Sequence, residues 1–223
     1  MKLLVKYSLE KDARTYVDFV YTFKAFKHGR DGPKSKLLEK LDLKLQEILI
    51  NAENAEAVYE QVYNHLKNIY ENDPDNIEKG IKRLQDSWEN VGDSIIYSLE
   101  FLYKKPFPFE TITAYLTTNN IFPYSYENRY FFANYKFLMP QLGTAKHELN
   151  HFMFYYYYPE LLETLGKERY ELLKESLTFF SNPEQGGKPN EKPLRELFGS
   201  KIWSSLDEAV AAGAKYLLEK QKH

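Results

Sequence analysis

The chain has 223 residues, 43% of them hydrophobic and 28% charged, which suffices for one sizeable buried core and excludes collagen-like, disordered and membrane-spanning architectures. The 30 basic and 32 acidic residues nearly cancel, giving a formal net charge of -2, so bulk electrostatics point to no nucleic-acid and no membrane partner. Cysteine is absent, which removes disulfides, thiolate catalysis and Cys-ligated metals, so any metal must be held by histidines and carboxylates.

Taken in chain order, Met1-Lys2-Leu3-Leu4-Val5-Lys6 breaks its apolar stretch after three residues, far short of a secretory or spanning segment, and a cytoplasmic protein is expected. From about residue 10 to residue 105 apolar residues recur at helical spacing. Leu37, Leu38, Leu41, Leu45, Ile48 and Leu49 form one stripe, and Val58, Val62, Leu66 and Ile69 a second. Asp73-Pro74-Asp75 predicts a turn and a helix start, after which Ile77, Ile81, Leu84, Trp88, Val91, Ile95 and Leu99 carry one apolar face toward Leu102.

Lys105-Pro106-Phe107-Pro108 ends that helix. Thr111 to Thr117 then alternate in period two, Asn119-Asn120 and Pro123 supply turn chemistry, and Tyr130 to Tyr135 form a second β-rich run at hairpin distance. A small antiparallel sheet is the simplest expectation. Pro140 and Gly143-Thr144 predict the start of another helix, with Thr144 as its N-cap and Pro159 as its stop. The rest reads as helical, broken between Asn182 and Pro193 and near Gly199. The expected class is α+β, mostly α, with a helical region over 1–105 and a second region over 106–223, or one compact domain overall.

The residues 147–151 read His-Glu-Leu-Asn-His, an HExxH pentapeptide on the helix expected over 145–157. Positions four apart on a helix differ by about 40° around its axis, so His147 and His151 project from one face and can reach a single ion. Glu148 lies about 100° from His147, placed to take a proton from a metal-activated water and to return it to a leaving group. Two neutral imidazoles suit Zn2+ with one position left for water.

The pentapeptide in this setting resembles the gluzincin-type HExxH zinc metallopeptidases, the group that includes thermolysin, over roughly residues 110–181. A metzincin pattern is broken, because Phe154 stands at the glycine position and Tyr157 at the third histidine. The resemblance implies a zincin-like active-site helix, a third zinc ligand from a glutamate on a later helix, and an extended peptide substrate along a strand such as 111–117 or 130–135. Residues 165–181 read as that later helix, with Glu168, Glu171 and Glu175 as candidates.

On the helical wheel Tyr170, Leu173, Leu177 and Phe180 form the main stripe, and Glu175 lies at its edge while Glu171 points further out. Glu175 is thus the expected ligand, with Glu171 as the alternative ligand or as an acceptor that orients a histidine. The family's aspartate four residues after the ligand is replaced by Phe179. For stabilisation of the tetrahedral intermediate the candidates are Tyr155, Tyr158 and Arg195; His28, His65 and His223 are remote in sequence.

The function expected is zinc-dependent peptide-bond hydrolysis, with Glu148 as general base, His147, His151 and Glu175 as metal ligands, and a peptide or protein as substrate. The alternative is a helical binding or scaffold protein with a structural or vestigial metal site.

Overall fold

The computed structural model describes residues 1–22, 38–51, 53–72, 74–119, 122–134, 138–184 and 186–220. His28, Leu37, Asp73, Asn120, Tyr135 and His223 lie outside the described residues. The protein is mostly helical with one four-stranded mixed sheet, an α+β architecture. Its residues gather into two compact units that interleave along the chain: Met1–Lys2, Glu89–Glu110 and Leu142–His223 in one, Leu3–Trp88 and Thr111–Gln141 in the other. No helix among the described residues is long and apolar enough to cross a membrane.

The sheet-bearing unit opens with β1 (Lys2–Tyr7), whose alternation buries Leu3 and Val5. Helix α1 (Leu9–Val17) follows, started by the Ser8 hydroxyl accepting from the Lys11 N–H at 3.3 Å, and it runs on into a π-helical turn over Asp18–Thr22. Helices α2 (Leu43–Asn51) and α3 (Ala55–Asn72) are capped by Asp42 and Asn54, each accepting a backbone N–H at 2.9 Å. Their stripes bury Leu45, Ile48 and Leu49 together with Val58, Val62 and Leu66, in one cluster with Ala13, Tyr16 and Phe19 of α1 and its extension. Burying these apolar faces against each other stabilises helices too short to persist alone in water.

The carboxylate of Asp12 is fully buried in this unit. It accepts hydrogen bonds from Thr117 Oγ1 (2.5 Å), the Thr118 N–H (3.0 Å), Thr118 Oγ1 (2.8 Å) and Tyr70 OH (2.8 Å), joining α1, α3 and the end of β2. Burial pushes its carboxyl up, against the pull of these donors.

β2 (Thr111–Thr117), β3 (Tyr124–Ser125) and β4 (Tyr130–Asn134) complete the sheet in the order β1-β2-β4-β3. The expected antiparallel hairpin between 111–117 and 130–135 is corrected here. β2 and β4 run parallel, with Thr113 opposite Tyr130 and Thr117 opposite Asn134. The hairpin is instead β3–β4, closed by the turn at Tyr126–Arg129, where Arg129 has φ 53°. A parallel pair needs a connection of about a dozen residues, and residues 118–129 supply that length while carrying β3. Neither strand offered as a substrate edge is fully open: β2 is flanked by β1 and β4, and β4 is paired with β3 at Tyr130 and Phe131.

Helix α4 (Asp75–Tyr103) contributes its first half to the sheet-bearing unit and its second half to the other. Ile77, Leu84, Trp88 and Leu99 are buried as expected of the apolar face, but Ile81, Ile95 and Leu102 are half-buried, Val91 is exposed, and Gly92, Ile96 and Tyr103 take buried positions beside them.

In the second unit α5 (Leu138–Tyr157) starts earlier than expected. Pro140 sits in its first turn, where no backbone donor is required, so Thr144 is an interior residue and not the cap. The short α6 (Leu161–Leu165) is followed by α7 (Lys167–Ser176), α8 (Thr178–Ser181), α9 (Lys192–Gly199) and α10 (Leu206–Glu219). The single helix expected over 165–181 is therefore two, because Gly166 takes φ 71°, a left-handed conformation that sets where α7 begins, and the helix breaks again at Leu177.

Candidate metal centre

The site is built on α5, which is buried on every side from Glu148 to Phe154. Two contacts fix this stretch. Tyr103 of α4 donates to both the backbone and the side-chain carbonyl of Asn150 at 3.1 Å, and Phe109 packs edge-on against Phe152 at 6.0 Å. The side chain next to Asn150 is His151, which is fully enclosed, while His147 one turn earlier is partly open. Their Nε2 atoms lie 2.8 Å apart.

Glu175, at the end of α7, faces both imidazoles. Its Oε2 is 3.7 Å from His147 Nε2 and its Oε1 is 3.4 Å from His151 Nε2. The Thr178 hydroxyl donates to the Glu175 backbone carbonyl at 2.7 Å and ties down the helix end that carries it. One donor atom from each of the three residues lies within 4.8 Å of the others, and no other such cluster occurs among the described residues.

The donor set fits zinc. Ligand bonds of about 2.1 Å in a tetrahedron place ligand atoms about 3.4 Å apart; the two Nε2 atoms are 2.8 Å apart, Glu175 Oε2 is 3.7 Å from His147 and Glu175 Oε1 is 3.4 Å from His151. Burial and the nearby Lys174 ammonium hold His151 well below its usual pKa, outweighing Glu175, so the ring is a neutral nitrogen donor. Burial would raise Glu175, but the imidazole nitrogens of His147 and His151 that face it and the Lys174 charge hold its carboxyl far below the usual carboxylate range. Two imidazole nitrogens and an ionised carboxylate are thus available together.

Glu148 is buried, at 6% exposure, and its Oε2 has no hydrogen-bond partner. An orphan oxygen in that setting is what a proton acceptor awaiting its donor would present. Burial pushes its carboxyl up to about 7, with the Glu175 charge adding to the shift and His147, Lys174 and Lys188 opposing it.

Glu171 turns away from the histidines. It accepts from Tyr155 OH at 2.6 Å and from Lys174 Nζ at 2.7 Å. Lys174 is itself 1% exposed and reaches Glu175 Oε1 at 3.2 Å. Burial works against its charge, and Glu175, Tyr155 and Glu171 more than restore it, so it stays an ammonium. Glu171 therefore meets Glu175 only through Lys174, and it is not among the three side chains whose donor atoms converge.

The side chains expected to stabilise a tetrahedral intermediate are engaged elsewhere. Tyr155 donates to Glu171, Tyr158 donates to Asp207 at 2.6 Å, and Arg195 donates to Thr178 at 3.3 Å beside Glu191 at 3.9 Å. His65 sits in the sheet-bearing unit, 3.3 Å from Asp42. Besides buried Lys174, an exposed cation reaches the site: Lys188, whose Nζ lies 3.7 Å from Glu175 Oε2 with its side chain 69% exposed. It belongs to the Gly/Pro-rich stretch that sequence reasoning treats only as a break, and no periodic signal marks it. Lys174 was missed for a different reason: a lysine on a charged helix reads as solvated.

Comparison with protein-family models, with curated proteins and with solved structures gives no match, so the functional reading rests on this geometry.

Proposed function

We propose that the chain is a zinc-dependent metallopeptidase in which His147, His151 and Glu175 hold the ion and Glu148 is the general base. The observation that carries this reading is the convergence of two imidazole nitrogens and one carboxylate within 4.8 Å, with the unpartnered Glu148 oxygen on the same buried helix.

Bound by these three side chains, zinc would supply a Lewis acid for the scissile carbonyl and for the attacking water. Everything else falls to the chain. Glu148 Oε2 accepts the proton of the attacking water and passes it to the departing amine, and its enclosed setting keeps the carboxyl close to the pH at which both transfers are easy. Neutral His151 and ionised Glu175 keep their lone pairs for the metal. Lys188, on an exposed stem between Glu175 and Glu191, supplies the positive charge that Tyr155, Tyr158 and Arg195 do not bring to the site.

The test is a pair of measurements on the wild-type chain and on Glu148→Gln. Both are expected to retain about one zinc per chain, while the variant loses hydrolysis of an unfolded protein or a peptide. Unchanged hydrolysis in the variant would reject the base, and a wild-type chain that takes up no zinc would favour the scaffold reading.

A further inference from the structure

An open groove of about 660 Å³ runs along the second unit, walled by α4, α8, α9 and residues 201–206, with one residue from α5, the helix that carries both histidines. Lys146 immediately precedes His147 on α5, and Phe179 stands four residues beyond Glu175 on α8. The floor is aromatic and aliphatic, with Phe179 and Phe180 in edge-on contact at 5.3 Å and Phe198 against Phe180 at 5.2 Å. Phe101, at 74% exposure, and Ile202, at 98%, stand open to solvent on its border, beside Trp203. Large apolar side chains this exposed along one groove mark a surface that gains by being covered.

Charge decides what covers it. Among the described residues that line the groove are Lys104, Lys146 and Lys201 and no aspartate or glutamate, although acidic residues outnumber basic ones in the chain as a whole. Lys201 is neutralised by Glu208 at 2.7 Å and lies over the Trp203 ring at 4.1 Å. Among the described residues Lys104 meets only the Ser204 backbone carbonyl, at 3.4 Å, and Lys146 has no acidic partner. Two cations are therefore uncompensated beside an apolar floor.

We propose that this groove binds an extended acidic peptide segment, a bulky apolar side chain lying on the floor and flanking carboxylates meeting Lys104 and Lys146. Resting on the metallopeptidase reading, it makes such segments the preferred substrates. Floor contacts supply affinity without dictating order, while the lysines select acidic over basic flanks and draw the segment in from solution.

The experiment uses the full metal-free chain and fluorescein-labelled octapeptides carrying a Leu-Phe pair, flanked in one by aspartates and in the other by lysines, read by fluorescence anisotropy. The aspartate peptide is expected to bind at least about tenfold more tightly than the lysine peptide, and to weaken as salt is added. Lys104→Glu with Lys146→Glu is expected to abolish or invert that preference, and Trp203→Ala to weaken both peptides, with the circular dichroism of each variant unchanged. Equal binding of the two peptides, insensitivity to the lysine reversals, or displacement of neither peptide's signal from background while anionic phospholipid vesicles bind would overturn the proposal. Zinc uptake measured in parallel separates the two readings. A chain that takes up zinc without discriminating the peptides loses the groove alone, and one that binds the acidic peptide but no zinc loses the peptidase reading while keeping the groove's ligand class.

Discussion

Replacing Lys174 by Met should lower the stability of the metal-free chain and, at the same time, tighten zinc binding. In the wild type the Lys174 ammonium lies 2.7 Å from Glu171 and 3.2 Å from Glu175, enclosed at 1% exposure. Removing it leaves two carboxylates without their buried cation, a change that costs about 3–5 kcal/mol in comparable sites. An ion about 2.1 Å from the Glu175 oxygen would sit within about 5 Å of the ammonium, and at an effective dielectric of about 20 the repulsion between one and two positive charges is about 7 kcal/mol. If about half is lost to relaxation and to looser positioning of Glu175, the net is about 3 kcal/mol, or about a hundredfold in affinity. Glu171→Gln should act in the opposite sense, because it removes a negative charge about 7 Å from the ion and leaves Lys174 to Glu175 alone, weakening zinc by about 2 kcal/mol. Thermal melting of the metal-free chains and competition with a chromophoric chelator give both quantities. Zinc binding that is unchanged or weaker in Lys174→Met would refute this electrostatic reasoning.

Four further outcomes follow from the same structure. Glu148 has its folded pKa raised from 4.5 to about 7, so the native chain binds more protons than the unfolded one, and its share of metal-free stability falls as pH rises across that window. The difference in unfolding free energy between wild type and Glu148→Gln should drop by about 3 kcal/mol from pH 4.5 to 7, and a flat difference in chemical denaturation would contradict it. With zinc bound, the acid limb of hydrolysis should fall at or below pH 7, because the ion's charge favours ionised Glu148. Asp12→Ala removes the carboxylate acceptor of the Thr118 N–H and of three hydroxyls and should destabilise the chain by about 3 kcal/mol, with Asp12→Asn milder because an acceptor remains; equal effects in denaturant titration would count against the network. Gly213→Ala should lower the melting temperature, since its Cβ would lie 2.7 Å from Leu173 Cδ1 and 3.1 Å from Phe198 Cζ. Overpacking of about 1–3 kcal/mol exceeds the helix-propensity gain of about 1 kcal/mol, and a raised melting temperature would show that the packing yields.

Much of this architecture could be read from periodicity, because burial enforces it. The stripes through Leu45 and Val58 to Leu66 form a core, and the four-residue spacing of His147 and His151 places both rings on one face of α5. That Glu175, more than Glu171, faces those rings followed from the edge of the apolar stripe on α7. Pairing between strands was less legible. Alternation identifies Thr111–Thr117 and β-rich composition the run from Tyr130 as strands, but their parallel register depends on β3 taking the hairpin position, and a two-residue strand has no period to detect. Proline was misleading at Pro140, where a first-turn residue looks like a boundary. The charged surroundings of the site were hidden altogether, since neither the burial of Lys174 nor the approach of Lys188 leaves a local sequence pattern.

The most direct test of the central claim is zinc K-edge absorption on the chain loaded with one equivalent of zinc. The expected spectrum has two imidazole nitrogens and a carboxylate oxygen around the ion, preserved in Glu148→Gln and Glu171→Gln and lost in Glu175→Ala. Failure to hold one equivalent, or a coordination shell indifferent to Glu175→Ala, would contradict the account.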